Sequence, residues 1–319
     1  MDRVANTIAH DDVSQPAEGE TAFPLEVRAE ELILEGKVHA AIPDQLFNLS
    51  ELDCLYEHDT ETLWTYMRPE GRPSFTPGML RDFVDWQELI GLSFGPGRVP
   101  LKYLVLGSRA PGVFCFGGDL ELFQRLIREG DREGLTAYGY RCVEILFRNM
   151  QNLELPIITV GLVQGAALGG GFEALLSFDF IVAERGATFG LPEILFGLFP
   201  GMGAHALLTR KLGSAMADRL IFSNETYTAE QMYDLGIVHQ LAEPGAGLAA
   251  TREFIAKTTR RHGGVLNARR ATKMINPITL GELRGIVDLW TESALCLREQ
   301  DLRVMTRLAT AQARLPRAA

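Results

Sequence analysis

The segment from Leu155 to Phe172 constrains the fold most, because it runs for 18 residues without a charged side chain. That length is close to what a membrane-spanning helix needs. The segment nevertheless contains Pro156 and several glycines, which are unfavourable inside a helix. Its first part, PIITVGLVQ, is short and rich in β-branched residues, as buried strands are. We therefore predict a buried strand, a glycine loop and the start of a helix, and no membrane span.

The composition is that of a packed globular protein. The 319 residues are 46% hydrophobic and 23% charged, and their formal charge of −10 gives the surface no general attraction for nucleic acid or anionic lipid. The first twenty residues contain no apolar segment of the kind found in secretory signals. The four cysteines form no CxxC pair and no Cys/His cluster. We predict reduced thiols, a cytoplasmic location, no metal site and no cofactor.

Strand-like and helix-like patterns alternate along the chain, which predicts an α/β fold. The strand-like segments are ELILEGKVHAA, LWTYM, KYLVLGS, PIITVGLVQG, FIVAER and ATFG. One apolar face of a long helix near the C-terminus is formed by Leu283, Val287, Trp290, Ala294 and Leu297, and a further helix is indicated by Leu302, Met305 and Leu308. We predict a polar, disordered arm at residues 1–25, a core at 26–250 and a helical region at 251–319.

Three glycine-rich loops follow strand-like segments. They are VFCFGGDL (113–120), GAALGGGFE (165–173) and FGLPEILFGLFPGMG (189–203). Gly170 and Gly171 stand just before a helix, where the first backbone N–H groups lack partners and favour negative charge. Gly117 and Gly118 offer a second such place, before a helix that Asp119 could cap. Two converging N–H groups would form an oxyanion hole, although most glycine pairs are only turns or packing sites.

Two glutamates accompany these loops. Glu173 lies in the first turn of the helix that begins in the glycine triplet, and Glu193 follows Pro192 twenty residues later. A strand and a turn between them could bring both carboxyls into one pocket. Two carboxyls in an apolar pocket push each other's pKa apart, so that one can act as base and the other as acid. The alternative is that Glu173 serves the helix dipole and Glu193 is a surface charge, and these residues alone leave both open.

Taken in order, the loops resemble the crotonase (enoyl-CoA hydratase/isomerase) superfamily over roughly residues 60–250. VQGAALGGGFEALLSFDFIVAERGATFGLPEILFGLFPGMG looks like its central signature, and FCFGGDL looks like its F-x-x-G-A-D loop. The resemblance is closest to the diffusible signal factor synthases of bacterial quorum sensing, where the C-terminal LWTESALCLREQDLRVMTRLATAQAR is similar as well. It implies a crotonase-like spiral of ββα units with a C-terminal helical region, assembled as a homotrimer.

The resemblance also implies roles for individual residues. The backbone N–H groups of Gly118 and Gly170 would form the oxyanion hole, and Glu173 and Glu193 would be the catalytic carboxyls. Hydratases often have alanine at the position of Gly118, and a backbone donor survives that change. Candidate walls of an apolar tunnel for the acyl chain are Leu168, Gly169, Leu191, Met202 and Trp290. For Met202 and Trp290, a place in the ordinary core is an equal alternative.

The related synthases act on a 3-hydroxyacyl thioester of acyl carrier protein. They remove water to give a cis-2-unsaturated chain, and they hydrolyse the thioester to release the free acid. The same function is expected here, with an acyl carrier protein or coenzyme A thioester as substrate partner and a sensor kinase or its receiver domain as a further candidate partner. The first alternative is a simple enoyl-CoA hydratase or isomerase, and a purely non-enzymatic docking role on the receiver domain is another.

A dinucleotide oxidoreductase is the remaining alternative. GMGAHA at 201–206 has the form G-x-G-x-x-A, and Glu225 lies 24 residues beyond Gly201. Pro200 and the poorly strand-like segment before it weigh against this interpretation. His205 and Asp179 are predicted to be structural residues, Asp179 in a buried, hydrogen-bonded turn.

Overall fold

The structure is a computed structural model that describes residues 42–313. The predicted arm at 1–25 and the predicted strand at 31–41 lie outside the described residues. The division of the chain into arm, core and helical region therefore stays a prediction.

The strands form two sheets. In chain order they are β1 (Leu52–Glu57), β2 (Thr62–Met67), β3 (Tyr103–Ser108), β4 (Val113–Cys115), β5 (Ile158–Val163), β6 (Ala166–Leu168), β7 (Phe180–Glu184), β8 (Thr188–Gly190), β9 (Thr226–Thr228) and β10 (Gln240–Ala242). The first sheet has the order β1-β2-β3-β5-β7-β10 and is parallel except for β1. The second has the order β4-β6-β8-β9, with β9 antiparallel to β8.

Helices follow the strands and fill the C-terminal part. They are α1 (Pro77–Ser93), α2 (Leu120–Glu129), α3 (Arg132–Met150), α4 (Gly170–Leu175), α5 (Ala204–Leu212), α6 (Ser214–Phe222), α7 (Ala229–Asp234), α8 (Gly247–Thr259), α9 (His262–Ile275), α10 (Leu280–Leu295) and α11 (Glu299–Ala313). Short 3-10 turns lie at Asp44–Phe47, Asn152–Glu154 and Glu193–Phe196. Within residues 42–313, no helix is long and apolar enough to cross a membrane.

A repeated unit explains why the glycine loops meet. A long strand of the first sheet leads into a short strand of the second sheet and then into a helix, as in β3–β4–α2, β5–β6–α4 and β7–β8–α5. Because β4, β6 and β8 are parallel neighbours in the second sheet, the loops that follow them come out at the same edge. This confirms the predicted spiral of ββα units, and the uncharged segment forms β5, β6 and the start of α4.

The C-terminal helices pack back onto the spiral. The predicted apolar face of α10 is buried at Leu283, Val287, Trp290 and Ala294, whereas Leu297 lies beyond the end of the helix and is half-buried. A Cβ built on Gly139 of α3 would lie only 2.5 Å from Val287 Cγ1, so the Val287 side chain packs directly on the backbone of α3. Asp179 is fully buried in a hydrogen-bonded turn, as predicted, and its Oδ2 accepts from Asn152 Nδ2 and Thr159 N.

Candidate active site

One cavity of about 110 Å³ lies where the three glycine loops meet the C-terminal helices. Of the residues predicted for the site, it is lined by Gly118, Leu168, Gly169, Gly170, Glu173, Glu193, Met202 and Trp290. Leu191 is not among the lining residues. It follows β8 two positions after the fully buried Phe189, so it points to the same side and packs in the main core at 2% exposure.

The glycines bring two backbone segments into direct contact. A Cβ built on Gly117 would lie 2.5 Å from Gly170 N, and one built on Gly170 would lie 3.6 Å from Gly118 N. Gly170 is the first residue of α4, so its N–H has no acceptor within its own helix. The backbone nitrogens of Gly118 and Gly170 therefore lie close together at the wall of the cavity.

Glu173 is held by the backbone of the loop that leads into α5. Its Oε1 accepts hydrogen bonds from Met202 N at 2.8 Å and from Ala204 N at 2.9 Å. The side chain is only 1% exposed. Burial raises the pKa of Glu173 from 4.5 to about 7, and the two hydrogen bonds offset part of that rise because they stabilise the ionised form.

Glu193 begins the 3-10 turn that faces Glu173 across the cavity. Among the described residues its buried Oε2 has no hydrogen-bond partner. Burial, together with the nearby charge of Glu173, raises the pKa of Glu193 well above its ordinary value. A Cβ on Gly169 would lie 2.5 Å from Glu193 Oε1, so only glycine leaves room for this carboxyl. Glu173 is the more readily ionised member of the pair, because two backbone N–H groups stabilise its ionised form and its charge raises the pKa of Glu193.

The aromatic rings of Phe123, Tyr138 and Trp290 form a further part of the cavity wall. Phe123 makes edge contacts with Tyr138 and with Trp290, each at a centroid distance of 5.0 Å. A Cβ on Gly118 would lie 2.6 Å from the Phe123 ring. Glycine rather than alanine occupies position 118 because the Phe123 ring fills the space. Sequence reasoning missed Phe123 and Tyr138, since their helices face the cavity only through tertiary packing.

The hydroxyl of Tyr138 links the segment at Phe75 to the loop at Asp119, next to the candidate oxyanion hole. Its hydroxyl donates to Phe75 O at 2.6 Å and accepts from Asp119 N at 3.2 Å. Asp119 caps α2, as predicted, and forms an ion pair with Arg72 at 2.8 Å. The backbone on either side of Gly118 is thus fixed by side chains that lie outside the glycine loop.

The partial dinucleotide fingerprint lacks its structural context. The segment before Gly201 contains a 3-10 turn and a loop, whereas the fingerprint requires a strand. The N–H groups of Met202 and Ala204, which would have to receive a phosphate, bind Glu173 instead. His205 makes an edge contact with Phe199 at 5.6 Å, which suits a structural role. No cluster of three or more potential metal ligands occurs between residues 42 and 313.

The chain belongs to the enoyl-CoA hydratase/isomerase family, whose model matches residues 98–268. It is 37% identical over 155 residues to the short-chain-enoyl-CoA hydratase of Clostridium acetobutylicum, a match that covers 48% of this chain and 56% of that protein. It is 30% identical over 176 residues to the peroxisomal fatty acid beta-oxidation multifunctional protein AIM1 of Arabidopsis thaliana, covering 55% of this chain and 23% of that protein. The chain therefore spans about half or less of the length of these relatives.

Solved structures share the fold. The enoyl-CoA hydratase of Bacillus halodurans superposes with a TM-score of 0.68 at 19% identity, over 81% of this chain and 100% of that chain. DspI of Pseudomonas aeruginosa superposes with a TM-score of 0.60 at 24% identity, over 70% of this chain and 80% of that chain. At these identities the likeness extends to the fold alone.

Proposed function

We propose that this protein dehydrates a 3-hydroxyacyl thioester to the cis-2-enoyl form and then hydrolyses the thioester to release a cis-2-unsaturated fatty acid of the diffusible signal factor type. The observation that carries the proposal is a pair of buried carboxyls beside two neighbouring backbone donors in one apolar cavity. The choice of a signal synthase within the family rests on the sequence resemblance, which extends into the C-terminal helices.

Dehydration needs one base and one acid, and the glutamate pair would supply both when Glu173 is ionised and Glu193 is protonated. With the thioester oxygen at the N–H groups of Gly118 and Gly170, negative charge that forms on this oxygen is stabilised. The ionised carboxylate takes the proton from Cα, and the protonated carboxyl donates its proton to the 3-hydroxyl. The Cβ–O bond breaks, water leaves and the Cα–Cβ double bond forms.

Hydrolysis can use the same donors a second time. A water molecule that gives a proton to a glutamate attacks the thioester carbonyl, and the tetrahedral oxyanion occupies the place of the enolate oxygen. The C–S bond then breaks, the thiol of the carrier leaves with a proton and the free acid is released. Leu168, Met202 and Trp290 would contact the acyl chain, because they supply apolar wall next to the carboxyls.

Replacing either glutamate tests the proposed chemistry. Glu173→Gln and Glu193→Gln keep the size of the side chain but cannot exchange a proton, so each should lower the dehydration rate at least about 100-fold. The measurement is turnover of purified protein on a 3-hydroxyacyl carrier-protein thioester. Glu225→Gln, on an exposed loop, is the matched control and should keep full activity. Full activity in either active-site variant would remove that residue from the mechanism.

An enoyl-CoA hydratase acting on coenzyme A thioesters is the second candidate. The observation that favours it is the identity to the Clostridium relative, which is named for that activity. The two candidates differ in their end product, because a hydratase leaves the thioester intact and the proposed synthase releases a free acid.

A further inference from the structure

A second cavity, here called the basic groove, lies on the far side of α4 from the active site. It has a volume of about 850 Å³. Its walls are the C-terminal end of α5, the C-terminal half of α9 and the 3-10 turn at Asn152–Glu154, and Leu176–Phe178 lie at its base. It shares no lining residue with the catalytic cavity. A ligand in this groove would therefore be separate from the thioester that is transformed.

Positive charge dominates the basic groove. Its cationic side chains are Arg210, Lys211, Arg269, Arg270 and Lys273, and its single acidic lining residue is Glu154. The cations come from the last turn of α5 and the second half of α9, and all five line the same concave surface. This concentration of positive charge stands out on a chain with a formal charge of −10.

Three of these cations have acidic partners. Arg210 forms two hydrogen bonds with the carboxylate of Glu282, at 2.8 and 2.9 Å, which fixes α5 against α10. Lys273 Nζ pairs with Oδ1 of buried Asp179 at 2.8 Å and donates to Asn152 Oδ1 at 2.6 Å, which fixes α9 against the 3-10 turn. Arg269 Nε lies 3.8 Å from the same carboxylate oxygen, Asp179 Oδ1.

Lys211 and Arg270 are different, because both side chains are exposed and neither forms an ion pair within residues 42–313. Desolvation inside the groove and the nearby charges of Arg269 and Lys273 lower the pKa of Lys211 to about 8, and the buried carboxylate of Asp179 opposes part of this effect. The lining of the groove still holds five cationic side chains and a single acidic one. This excess of positive charge would attract a bound anion.

We propose that the basic groove binds a small molecule that carries at least two phosphate groups. Its volume falls within the roughly 300–1,000 Å³ of small-molecule sites, and its concave shape suits a compact ligand. Arginine and lysine are the side chains that bind phosphate oxygens best, by charge-assisted hydrogen bonds. Lys211 and Arg270 would contact the ligand, and the paired cations would add to the positive potential.

Calorimetric titration with inorganic pyrophosphate tests this site without reference to enzymatic activity. The wild-type protein should bind pyrophosphate, and the double variant Lys211→Ala/Arg270→Ala should bind it at least about tenfold more weakly, because two charge-assisted contacts are lost. Thermal unfolding of each variant checks that the fold is kept.

The matched control is the double variant Arg303→Ala/Arg307→Ala, which removes the same charge from two exposed arginines on α11. Its dissociation constant for pyrophosphate should stay within about threefold of the wild-type value. Equal weakening in both double variants would show non-specific attraction and overturn the proposal. Absence of measurable binding to the wild type at millimolar pyrophosphate would also overturn it.

Discussion

At the scale of single residues, the fold places Glu173 and Glu193 in an environment that raises the pKa of both carboxyls above the ordinary value. Burial is the main cause for both, and the charge of one adds to the pKa of the other. Burying an ionisable carboxyl costs folding free energy. The proposed catalytic pair should therefore reduce stability at neutral and alkaline pH, and this can be measured.

The pKa of Glu173 predicts how Glu173→Gln changes stability with pH. Between pH 4.5 and about 7 the folded protein binds a proton at this carboxyl that the unfolded chain has already released. The free energy of unfolding therefore falls as pH rises through this window, by up to about 3 kcal/mol at about 1.4 kcal/mol per pKa unit. Glu173→Gln removes this loss, so the melting temperature of the variant relative to wild type should rise between pH 5 and pH 8.

The surface variant Glu225→Gln is the control, and its difference from wild type should stay constant between the two pH values. The same constant difference for Glu173→Gln, measured by thermal unfolding in matched buffers, would contradict the buried, perturbed carboxyl described here.

Sequence spacing could predict that Glu173 and Glu193 meet, because their twenty-residue spacing leaves room for the chain to run out along strand β7 and return through the short β8. It could not predict their unequal hydrogen bonding. Glu173 receives two backbone N–H groups from the loop before α5, whereas Glu193 Oε2 receives none among the described residues. That difference depends on how the loop at 201–204 folds over α4, which is a tertiary contact.

At the scale of elements, the loop that carries Gly118 is positioned by Tyr138 of α3. Tyr138→Phe keeps the ring against Phe123 but removes both hydrogen bonds of the hydroxyl, to Phe75 O and from Asp119 N. Complete loss of an oxyanion-hole donor lowers the rate about 10²–10³-fold. Because Tyr138→Phe would only loosen the Gly118 N–H, we expect it to lower kcat about tenfold and to leave KM nearly unchanged. Steady-state kinetics on a 3-hydroxyacyl thioester measures both constants.

Tyr140→Phe is the matched control for Tyr138→Phe. Tyr140 lies on the same helix, and its exposed hydroxyl donates to Asp288 at 2.8 Å, away from the glycine loop. This variant should keep both kinetic constants. If Tyr138→Phe were as active as Tyr140→Phe, the hydroxyl would not position the donor.

Most of the long elements were predictable, although the six-residue strand β1 was missed; of the three-residue strands, ATFG predicted β8. The apolar, β-branched segments predicted β2, β3, β5 and β7 correctly, and the helical periodicity predicted α10 and α11. Strands β4, β6 and β9 have three residues each, too few for a periodic pattern. The left-handed turn at Asn152–Glu154 was also missed, because Asn152 is fixed by contacts with Asp179 and Lys273 from distant parts of the chain.

At the scale of the whole molecule, the C-terminal helices complete the proposed active site. α10 contributes Val287 and Trp290 to the cavity, and α11 contributes Leu308 and Gln312. The ring of Trp290 also lies against Gly201, where a Cβ would come within 2.6 Å. The resemblance in the C-terminal segment predicted Trp290 at the wall, but Leu308 was predicted only as a helix-face residue. Its place depends on the angle at which α11 returns over the spiral.

Product analysis by mass spectrometry tests whether the protein is a dehydratase that also releases its product as a free acid. Purified protein is incubated with 3-hydroxyacyl carrier protein, and the products are followed as carrier-bound thioester and as free acid, with the double-bond geometry assigned by comparison with cis and trans standards. We expect loss of water followed by release of a free cis-2-unsaturated acid, with neither product formed by Glu173→Gln. Accumulation of an enoyl thioester without free acid would contradict the synthase function, and absence of both products would contradict the dehydratase function as well.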